Sequence, residues 1–449
     1  MGIMDLFDAL GPAVAGVLAH RRESVTRHFV LAVDAAEQMA AALASDVAGR
    51  RAALVADTRT AAVGVEACVA ALRARGFQTA LHILPDAEGH EPVCDDKTCS
   101  LLVPALRGSA PDVLVGVGSG VVSDLSKWAA FELGIPSAVF ATAASMNGYT
   151  AANVAPAIAG VKSLVSARSH LAVVADPRVL AAAPAALTTA GLGDVIAKWV
   201  STADWRMNHV LFGESYNSAV AGIIDHVENA YLQKPEAIAA RDPDAIGALF
   251  TALIFSGCAM TLQGSSMPAS GGEHLISHAL DMRALAEGVA HDLHGRQVGV
   301  GTVVAAALYQ QVLALPAPDF QPVQLPLDRA GWGSVVDAVA EHHQRQGERL
   351  AQAVSRLRDG DTWHALRDTL RPMVPDPAHV KRVLASAGAA HRIDQLGIDR
   401  SRFCWAVLNG AQMRERFTSL DLAWATGVLP QALPQIVAHY VTHDERGSD

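Results

Sequence analysis

The feature that most constrains the fold is an alternation, from about residue 52, of short β-rich runs with amphipathic segments. The runs RAALVAD, FQTALHILP, PDVLVGVG and IPSAVFA are typical of strands, and the segments AAVGVEACVAALRARG and VVSDLSKWAAFELG are typical of helices. Strands that alternate with helices in this way predict a parallel sheet with helices on both faces.

A second kind of pattern begins after DPRVLAAAPAA, near residues 176–186, where two prolines interrupt the chain. The following segment, LTTAGLGDVIAKWVSTADW, has an apolar stripe at helical spacing, and no further β-branched strands are evident. With 449 residues and 51% apolar content, the chain is long enough for two packed domains. We predict an α/β domain at 1–186, with an N-terminal helical extension, and an all-α domain at 187–449.

Composition excludes several classes of partner. The chain has 35 Lys plus Arg against 45 Asp plus Glu, and it has no basic cluster, which argues against nucleic acid. No uncharged apolar run of about 18 residues occurs, which predicts no membrane span. The opening MGIMDLFDALGPAVAGVLAH lacks a basic leader region, and the five scattered cysteines are typical of free thiols. These features predict a cytoplasmic protein.

The stretch VGVGSGVVSD follows a predicted strand and opens a predicted helix, where backbone N–H groups and the helix dipole can hold a pyrophosphate. Gly118 and Gly120 would let the backbone approach the phosphates, although a tight turn needs glycine in any case. Asp57, after the first predicted strand, could bond ribose hydroxyls and disfavour a 2′-phosphate, or could cap the next helix. Thr142 and Ser145, after a later strand, could meet the nicotinamide side or cap a helix. Together they predict a Rossmann-like domain.

Histidines in GGEHLISHAL raise the possibility of a metal site. His274 and His278 are four positions apart and share a helical face, so they could bind one ion together. The zinc-protease arrangement needs glutamate directly after the first histidine, whereas here Glu273 precedes it. A different set adds His294, followed by a glycine, and Asp194, at the apparent start of a helix.

Three N/O ligands from separate helices, with an open fourth position, can hold a catalytic divalent ion. Each residue also has a structural interpretation. Asp194 could cap a helix, His274 and His278 could pack as helix residues, and His294 could lie in a surface turn.

Five motifs occur in order along the chain: GVGSGVVSDLSK, TAASMNGYTA, AGLGDVIAK, PASGGEHLISHALD and LHGRQVGVGT. With the C-terminal stretch from IDQLGIDRSRF to RERFTSLDLAWATGVL, the chain resembles the sn-glycerol-1-phosphate dehydrogenases, particularly their longer bacterial branch. These belong to the superfamily of dehydroquinate synthases and metal-dependent alcohol dehydrogenases. The resemblance implies a dehydroquinate synthase-like fold, NAD(H) or NADP(H), and one divalent ion, zinc or nickel with iron as a further option. It also implies a phosphorylated polyol or ketone substrate and a homodimer.

The resemblance also implies roles for individual residues. The metal ligands fall on Asp194, His274 and His294, and His278 falls on a substrate contact and is the candidate proton relay. The cofactor contacts comprise an acidic residue and two loops: Asp57, Gly118, Gly120, Val121, Val122, Ser123, Asp124, Thr142, Ala143, Ala144 and Ser145. The substrate contacts are Asn147, Lys162, Asp194 and His278.

Three positions depart from the family pattern. Asn147 stands where an aspartate is usual, Met267 stands where an arginine is common, and Ala151 stands where a serine is expected near the nicotinamide. All three bear on substrate recognition, whereas the implied metal and dinucleotide residues match.

The expected reaction is reversible hydride transfer between a nicotinamide and a secondary alcohol, most simply between dihydroxyacetone phosphate and sn-glycerol 1-phosphate. Three alternatives remain at this point. They are a dehydrogenase of another polyol or polyol phosphate, a dehydroquinate synthase-like lyase, and a non-catalytic nucleotide-binding homologue.

Overall fold

The computed structural model describes residues 25–87, 91–223, 228, 231–321 and 325–442. Most of the predicted N-terminal helical extension lies outside these described residues.

The chain divides into two compact units. The first unit comprises Met1–Gly191 and Ala219–Ser265, and the second comprises Leu192–Ser218 and Ser266–Asp449. The observed division is therefore discontinuous, whereas the sequence predicted one boundary after residue 186. The difference arises because the buried helix Pro243–Gln263 packs with elements of the first unit. The predicted domain assignment stays a prediction.

A six-stranded parallel sheet forms the centre of the first unit, in the order β1-β10-β5-β4-β2-β3. Its strands are β1 His28–Leu31, β2 Arg51–Ala56, β3 Gln78–Ile83, β4 Val113–Gly118, β5 Ser137–Ala141 and β10 Ala172–Ala175. Two small antiparallel pairs follow. β6 Asn153–Val154 pairs with β9 Val165–Ser166, and β7 Ala157–Ile158 pairs with β8 Val161–Lys162. The predicted parallel α/β sheet is confirmed.

Alternation along the strands explains why both faces of the sheet are covered. In β2, Leu54 packs into the apolar cluster on one face and Val55 packs into the cluster on the other, and both are fully buried. Because successive side chains of a strand point to opposite faces, an apolar run of this kind needs helices on both sides.

Helices of the first unit pack on both faces of this sheet. Several helices of the unit begin at an aspartate that accepts main-chain N–H bonds. Asp95, Asp176 and Asp242 are such caps. Described helices of this unit are Ala35–Asp46, Thr58–Thr60, Glu66–Ala74, Asp96–Ser109, Gly120–Leu133, Pro177–Ala182, Pro235–Ala239 and Pro243–Gln263, with a π-helical turn at Ala61–Val65 and a 3-10 turn at Gly148–Thr150. The chain passes between the units at three points: within the helices Ala185–Ile196 and Ser218–Ala221, and between Ser265 and Ser266, after the helix Pro243–Gln263.

Every secondary-structure element assigned in the described part of the second unit is a helix or a helical turn, as the sequence predicted. These elements are Lys198–Phe212, Gly272–Glu287, His294–Ala314, Arg329–Trp332, Gly333–Val335, Val336–Leu357, Gly360–Leu370, Pro377–Ser386, Asp394–Leu396, Arg400–Asn409, Gly410–Met413, Ser419–Ala425, Leu433–Ile436 and Val437–Thr442. The fold class is therefore an α/β domain with a parallel sheet joined to a helical part.

Two helices, Pro243–Gln263 and His294–Ala314, are long and apolar enough to cross a membrane by length and composition. In each of them, 83% of the apolar stretch is buried inside the protein. Burial in a protein core accounts for the same composition, so these helices are weak evidence for a span. The predicted absence of a membrane span stays a prediction.

Candidate functional site

The strand order of the first unit places the candidate nucleotide residues at one edge of the sheet. From β2 the chain continues to β3 on one side, whereas β4 lies on the other side of β2 and leads on to β5. Such a reversal leaves a crevice at the carboxyl ends of the strands, where ligands bind in open α/β sheets. Asp57 follows β2, the glycine turn follows β4 and Thr142 follows β5.

The two glycines of the turn have different surroundings. A Cβ atom on Gly118 would lie 2.5 Å from Cβ of Val122, so the fold itself requires glycine there. A Cβ atom on Gly120 would meet nothing nearer than Sδ of Met146, at 3.6 Å. Because Gly120 begins the helix Gly120–Leu133, this open space lies at a helix N-terminus, where an anion is favoured.

Asp57 caps the helical segment that follows β2. Its carboxylate accepts hydrogen bonds from the main-chain N–H groups of Arg59 and Thr60, and the Thr60 hydroxyl bonds back to the N–H of Asp57. The capping interpretation of Asp57 is therefore confirmed, and a contact with ribose stays a prediction. The sequence placed Asp57 after the first strand, but β1 precedes it, so β2 is the second.

Most of the other predicted cofactor contacts are buried. Val122, Ser123, Ala143 and Ala144 are at most 2% exposed. Gly191 packs on this segment so closely that a Cβ atom there would lie 2.0 Å from the carbonyl oxygen of Ala144. These residues support the shape of the turn, whereas Val121, Asp124 and Ser145 are partly exposed.

Lys127 forms hydrogen bonds with the segment that follows β5. It is 1% exposed, and its ammonium donates to the carbonyl oxygens of Gly148, at 2.6 Å, and Ala151, at 3.2 Å. It also pairs with Asp124 at 3.3 Å. Burial lowers the pKa of Lys127, and the carboxylate of Asp124 opposes that shift. The sequence predicted no role for Lys127, although it is the last residue of the motif GVGSGVVSDLSK and lies three positions after Asp124, at helical i, i+3 spacing.

His170 is a second buried group that the sequence did not single out. It is fully buried, and its two ring nitrogens lie 3.1 Å from the Ser123 hydroxyl and 2.8 Å from the Ser137 hydroxyl. Burial, assisted by the positive charge of Lys127, lowers its pKa well below the usual value of 6.5. A neutral ring thus ties the glycine-turn helix to β5.

The two predicted substrate contacts of the first unit, Asn147 and Lys162, lie in different elements. Ala151, which departs from the family pattern, lies four positions after Asn147. Asn147 is buried and its amide donates to the Ser256 hydroxyl at 3.3 Å. Ala151, buried at 1% exposure, offers its carbonyl oxygen to Lys127. Lys162 lies in β8, within the small antiparallel pair with β7.

In the second unit, three side chains far apart in sequence converge. Asp194, His274 and His294 each offer a ligand atom, and these atoms all lie within 4.8 Å of one another. Within the part of the chain that the structure describes, this is the one group of His, Cys, Asp and Glu side chains arranged to share an ion. Asp194 and His274 are buried, and His294 is partly exposed. The donor set of two imidazoles and a carboxylate suits one divalent ion.

Glycines allow the helices that carry these ligands to approach closely. A Cβ atom on Gly193, beside Asp194, would lie 2.0 Å from the carbonyl oxygen of Gly295, beside His294. A Cβ atom on Gly301 would lie 2.8 Å from the carbonyl oxygen of Glu273. Main chain packs on main chain at both contacts, so the ligand positions depend on glycine at 193 and 301.

Two local predictions about the ligands are wrong. Asp194 lies near the end of the helix Ala185–Ile196, not at its start, so it does not act as an N-cap. His294 is the first residue of the helix His294–Ala314, not part of a surface turn. The glycine pair before Asp194 suggested a turn because glycine is common in loops, but here it serves close helix packing.

His274 lies between two carboxylates. Its Nε2 is 3.3 Å from Oδ1 of Asp194, and its Nδ1 is 2.8 Å from Oε1 of Glu273. Burial alone would lower the pKa of His274, but the hydrogen bonds and negative charges of Asp194 and Glu273 raise it to about 9.

His278 lies beside the group without belonging to it. Its ring stacks on that of His294 with centroids 5.3 Å apart, and its centroid is 6.1 Å from that of His274. The sequence correctly predicted that His274 and His278 share a helical face.

A buried set of charged side chains borders the group on the Glu273 side. Asp204 is fully buried and accepts from the main-chain N–H groups of Gly272, at 2.7 Å, and Ser419, at 2.9 Å, and from the hydroxyl of Tyr309. Burial and the nearby Glu273 raise the pKa of Asp204 well above its usual range.

One arginine faces these carboxylates. Arg416 donates to the Ser266 hydroxyl at 3.0 Å and to the carbonyl oxygen of Ser270. Burial lowers its pKa to about 10. Arg416 therefore donates hydrogen bonds to residues on either side of Met267 in the sequence. Met267 is the position where the resembled family commonly has an arginine. The sequence predicted no role for Asp204 or Arg416, although Asp204 lies in the quoted segment LTTAGLGDVIAKWVSTADW and Arg416 lies in the C-terminal stretch RERFTSLDLAWATGVL.

Comparisons with known proteins show which family the chain is similar to. The family model described as iron-containing alcohol dehydrogenase matches residues 30–184. The chain is 31% identical to glycerol-1-phosphate dehydrogenase [NAD(P)+] of Halalkalibacterium halodurans, over 82% of this chain and 84% of that protein. It is 30% identical to the protein of that name from Bacillus subtilis strain 168, over 78% of this chain and 79% of that protein.

Among solved structures, glycerol dehydrogenase from Schizosaccharomyces pombe is similar, with a TM-score of 0.62 and 15% sequence identity. The similarity covers 93% of this chain and 92% of that one, and at this identity it shows the fold.

Proposed function

Because the chain belongs to the glycerol-1-phosphate dehydrogenase family, we propose that it catalyses the reversible NAD(P)H-dependent reduction of dihydroxyacetone phosphate to sn-glycerol 1-phosphate. The observation that carries the proposal is the convergence of Asp194, His274 and His294 within 4.8 Å. The relatives are named dehydrogenases, so neither a lyase nor a non-catalytic homologue is favoured.

The donor set supports a single divalent ion, zinc, nickel or iron, held by Asp194, His274 and His294. A bound ion of this kind supplies Lewis-acid polarisation of a substrate oxygen. The negative charge of Asp194 and the imidazole nitrogens hold it. His278 stacks on His294 and is proposed to hold or move the proton that the alcohol oxygen gains or loses.

The nucleotide is proposed to bind at the carboxyl edge of the sheet in the first unit. The N-terminal main chain of Gly120–Leu133 would face the pyrophosphate, and the open space at Gly120 would admit it. The carboxylate of Asp57 would bond a ribose hydroxyl and would disfavour a 2′-phosphate, so NADH is the expected partner. The contacts proposed from Thr142 to Ser145 would line the nicotinamide side.

Several further properties are proposed from the family. The substrate is a small phosphorylated polyol or ketone, in contact with Asn147, Lys162, Asp194 and His278. The protein is proposed to act in the cytoplasm as a homodimer, without binding nucleic acid or a membrane. Two features support a second candidate, a dehydrogenase of another polyol or polyol phosphate. They are the neutral amide of Asn147, hydrogen-bonded to Ser256, and the replacement of an arginine by Met267.

A stereochemical assay tests the proposal. Metal-loaded protein is supplied with NAD⁺ or NADP⁺ and with sn-glycerol 1-phosphate, sn-glycerol 3-phosphate or unphosphorylated glycerol. The expected result is nucleotide reduction with sn-glycerol 1-phosphate and far less with its enantiomer or with glycerol. Turnover confined to another polyol would favour the second candidate. Failure of every secondary alcohol to reduce the nucleotide would contradict both.

A further inference from the structure

The side chain of Glu273 is hydrogen-bonded to one of the proposed metal ligands, His274. It is fully buried, and its Oε1 lies 2.8 Å from Nδ1 of His274 and 2.6 Å from the main-chain nitrogen of Gly271. A carboxylate oxygen in this position accepts, so Nδ1 of His274 carries the proton and donates it. Nε2 is then the nitrogen directed at Asp194, 3.3 Å away.

His294 has a comparable partner from the same helix as Glu273. The Ser277 hydroxyl donates to Oε1 of Gln297 at 2.7 Å and lies 2.9 Å from Nδ1 of His294. Since the single hydroxyl proton goes to Gln297, the oxygen of Ser277 accepts from Nδ1–H of His294. Ser277 and Gln297 are both buried, at 0% and 2% exposure.

We infer that Glu273 and Ser277 are positioning residues that hold His274 and His294 as Nδ1–H tautomers, so that each ring presents Nε2 to the metal ion. The inference rests on the proposed metal-dependent function. A hydrogen bond from the second ring nitrogen fixes both the tautomer and the orientation of a ligating imidazole. Gln297 fixes the direction of the Ser277 hydroxyl. The negative charge of Glu273 strengthens the hydrogen bond that Glu273 accepts from Nδ1 of His274.

The simpler interpretation of Glu273 is structural. It lies in the first turn of Gly272–Glu287, where acidic residues are favoured, and it accepts from the N–H of Gly271. That role alone predicts a loss of stability on substitution with no change in how the ion is bound. Metal affinity and the spectrum of a bound ion therefore separate the two roles.

The test uses full-length protein stripped of metal and loaded with Co²⁺. Glu273→Gln keeps the size and one acceptor oxygen but removes the charge, and Ser277→Ala removes the acceptor for His294. Metal affinity is measured by competition with a chelator, and the visible absorption spectrum reports the coordination of Co²⁺. We expect Glu273→Gln to weaken binding by about 10-fold to 100-fold and to shift the spectrum, and Ser277→Ala to weaken it by about 10-fold.

Asp421→Asn is the matched control. Asp421 is a fully buried carboxylate of the same unit whose partners are Thr418 and Gln346. It should lower the melting temperature while leaving the Co²⁺ affinity and spectrum as in the unmodified protein.

Unchanged affinity and spectrum in both Glu273→Gln and Ser277→Ala would overturn the inference while leaving the metal site standing. If the unmodified protein binds no Co²⁺, the proposed function and the inference both fail. If Glu273→Gln does not fold, the result for Ser277→Ala decides.

Discussion

The candidate nucleotide edge and the candidate metal group differ in the chemical groups that form them. At the edge of the sheet, the distinctive feature is main chain and empty space, since a Cβ atom on Gly120 would meet only Met146, at 3.6 Å. In the metal group, the distinctive feature is buried charge, since Asp194 and Glu273 are both at most 3% exposed and enclose His274.

This difference indicates which changes each region tolerates. A site made of main-chain groups depends on space, so an added methyl group can block it without harming the fold. A site made of buried charges depends on its partners, because an unpaired buried charge is costly. At two glycines, Gly120 and Gly193, the same substitution by alanine should act on ligand binding in the nucleotide region and on folding in the metal region.

The largest effect is expected for Gly193→Ala in the metal region. The new Cβ atom would lie 2.0 Å from the carbonyl oxygen of Gly295, and main chain cannot move aside as a side chain can. We expect a loss of about 3 kcal/mol of unfolding free energy, together with weaker metal binding, measured by urea unfolding and metal titration. The control is Gly347→Ala, in a helix with nothing within 4 Å, which should be neutral or stabilising. Equal stability of the two variants would contradict the packing argument.

An intermediate effect is expected for Gly120→Ala in the nucleotide region. The fold accommodates the added methyl group, so the melting temperature should stay as in the parent protein. The methyl group would occupy the space proposed for the pyrophosphate, and we expect NADH affinity to fall about 10-fold, or about 1.4 kcal/mol. Fluorescence titration with NADH measures this, with Gly108→Ala as a control that also adds a methyl group in open space. Unaltered NADH affinity in Gly120→Ala would place the pyrophosphate elsewhere.

The smallest effect is a pH dependence of stability from His170. Its pKa is held well below 6.5 by burial, so the unfolded chain takes up a proton at a pH where the folded protein does not. Stability is complete above the unfolded pKa and is lost as pH falls below it. The loss should reach roughly 1 kcal/mol by pH 6.

Urea unfolding of the parent protein and of His170→Gln at pH 7.5 and pH 6 measures this contribution. The variant lacks the titrating ring, so the difference in unfolding free energy between the two proteins should shrink at the lower pH. A difference that stays constant would mean that His170 takes up a proton in the folded protein over the same pH range as in the unfolded chain.

Much of the sheet could be predicted from the sequence because β2, β4 and β5 are apolar and buried on both faces, whereas β3, at the edge, is only partly buried. The strands β2, β4 and β5 lie inside runs that were recognised by composition, and β3 was found in the same way. The strands β1 and β10 were missed. Each is four residues long, and they pair with each other although His28 and Ala172 are 144 positions apart in the sequence, so no local repeat revealed them.

The metal ligands could be proposed from motifs, but their surroundings could not. Local pattern placed Asp194 at the start of a helix because two glycines precede it, whereas tertiary packing required those glycines inside a helix. Glu273 was considered only as a failed zinc-protease motif. Its contact with His274 joins neighbouring residues, but Ser277 and Gln297 lie one helical turn after His274 and His294, and this i, i+3 spacing is a signal that could have identified them.

The measurement that tests the central claim most directly compares Asp194→Asn with the parent protein for bound metal and for NADH oxidation with dihydroxyacetone phosphate. We predict one divalent ion per chain and turnover in the parent protein. The variant should lose the ion and at least about 100-fold in kcat/KM while its NADH affinity is unchanged, since Asp57 and Gly120 belong to the other unit. Full turnover by Asp194→Asn, or retention of the ion in it, would contradict the claim that Asp194, His274 and His294 hold the metal on which the reaction depends.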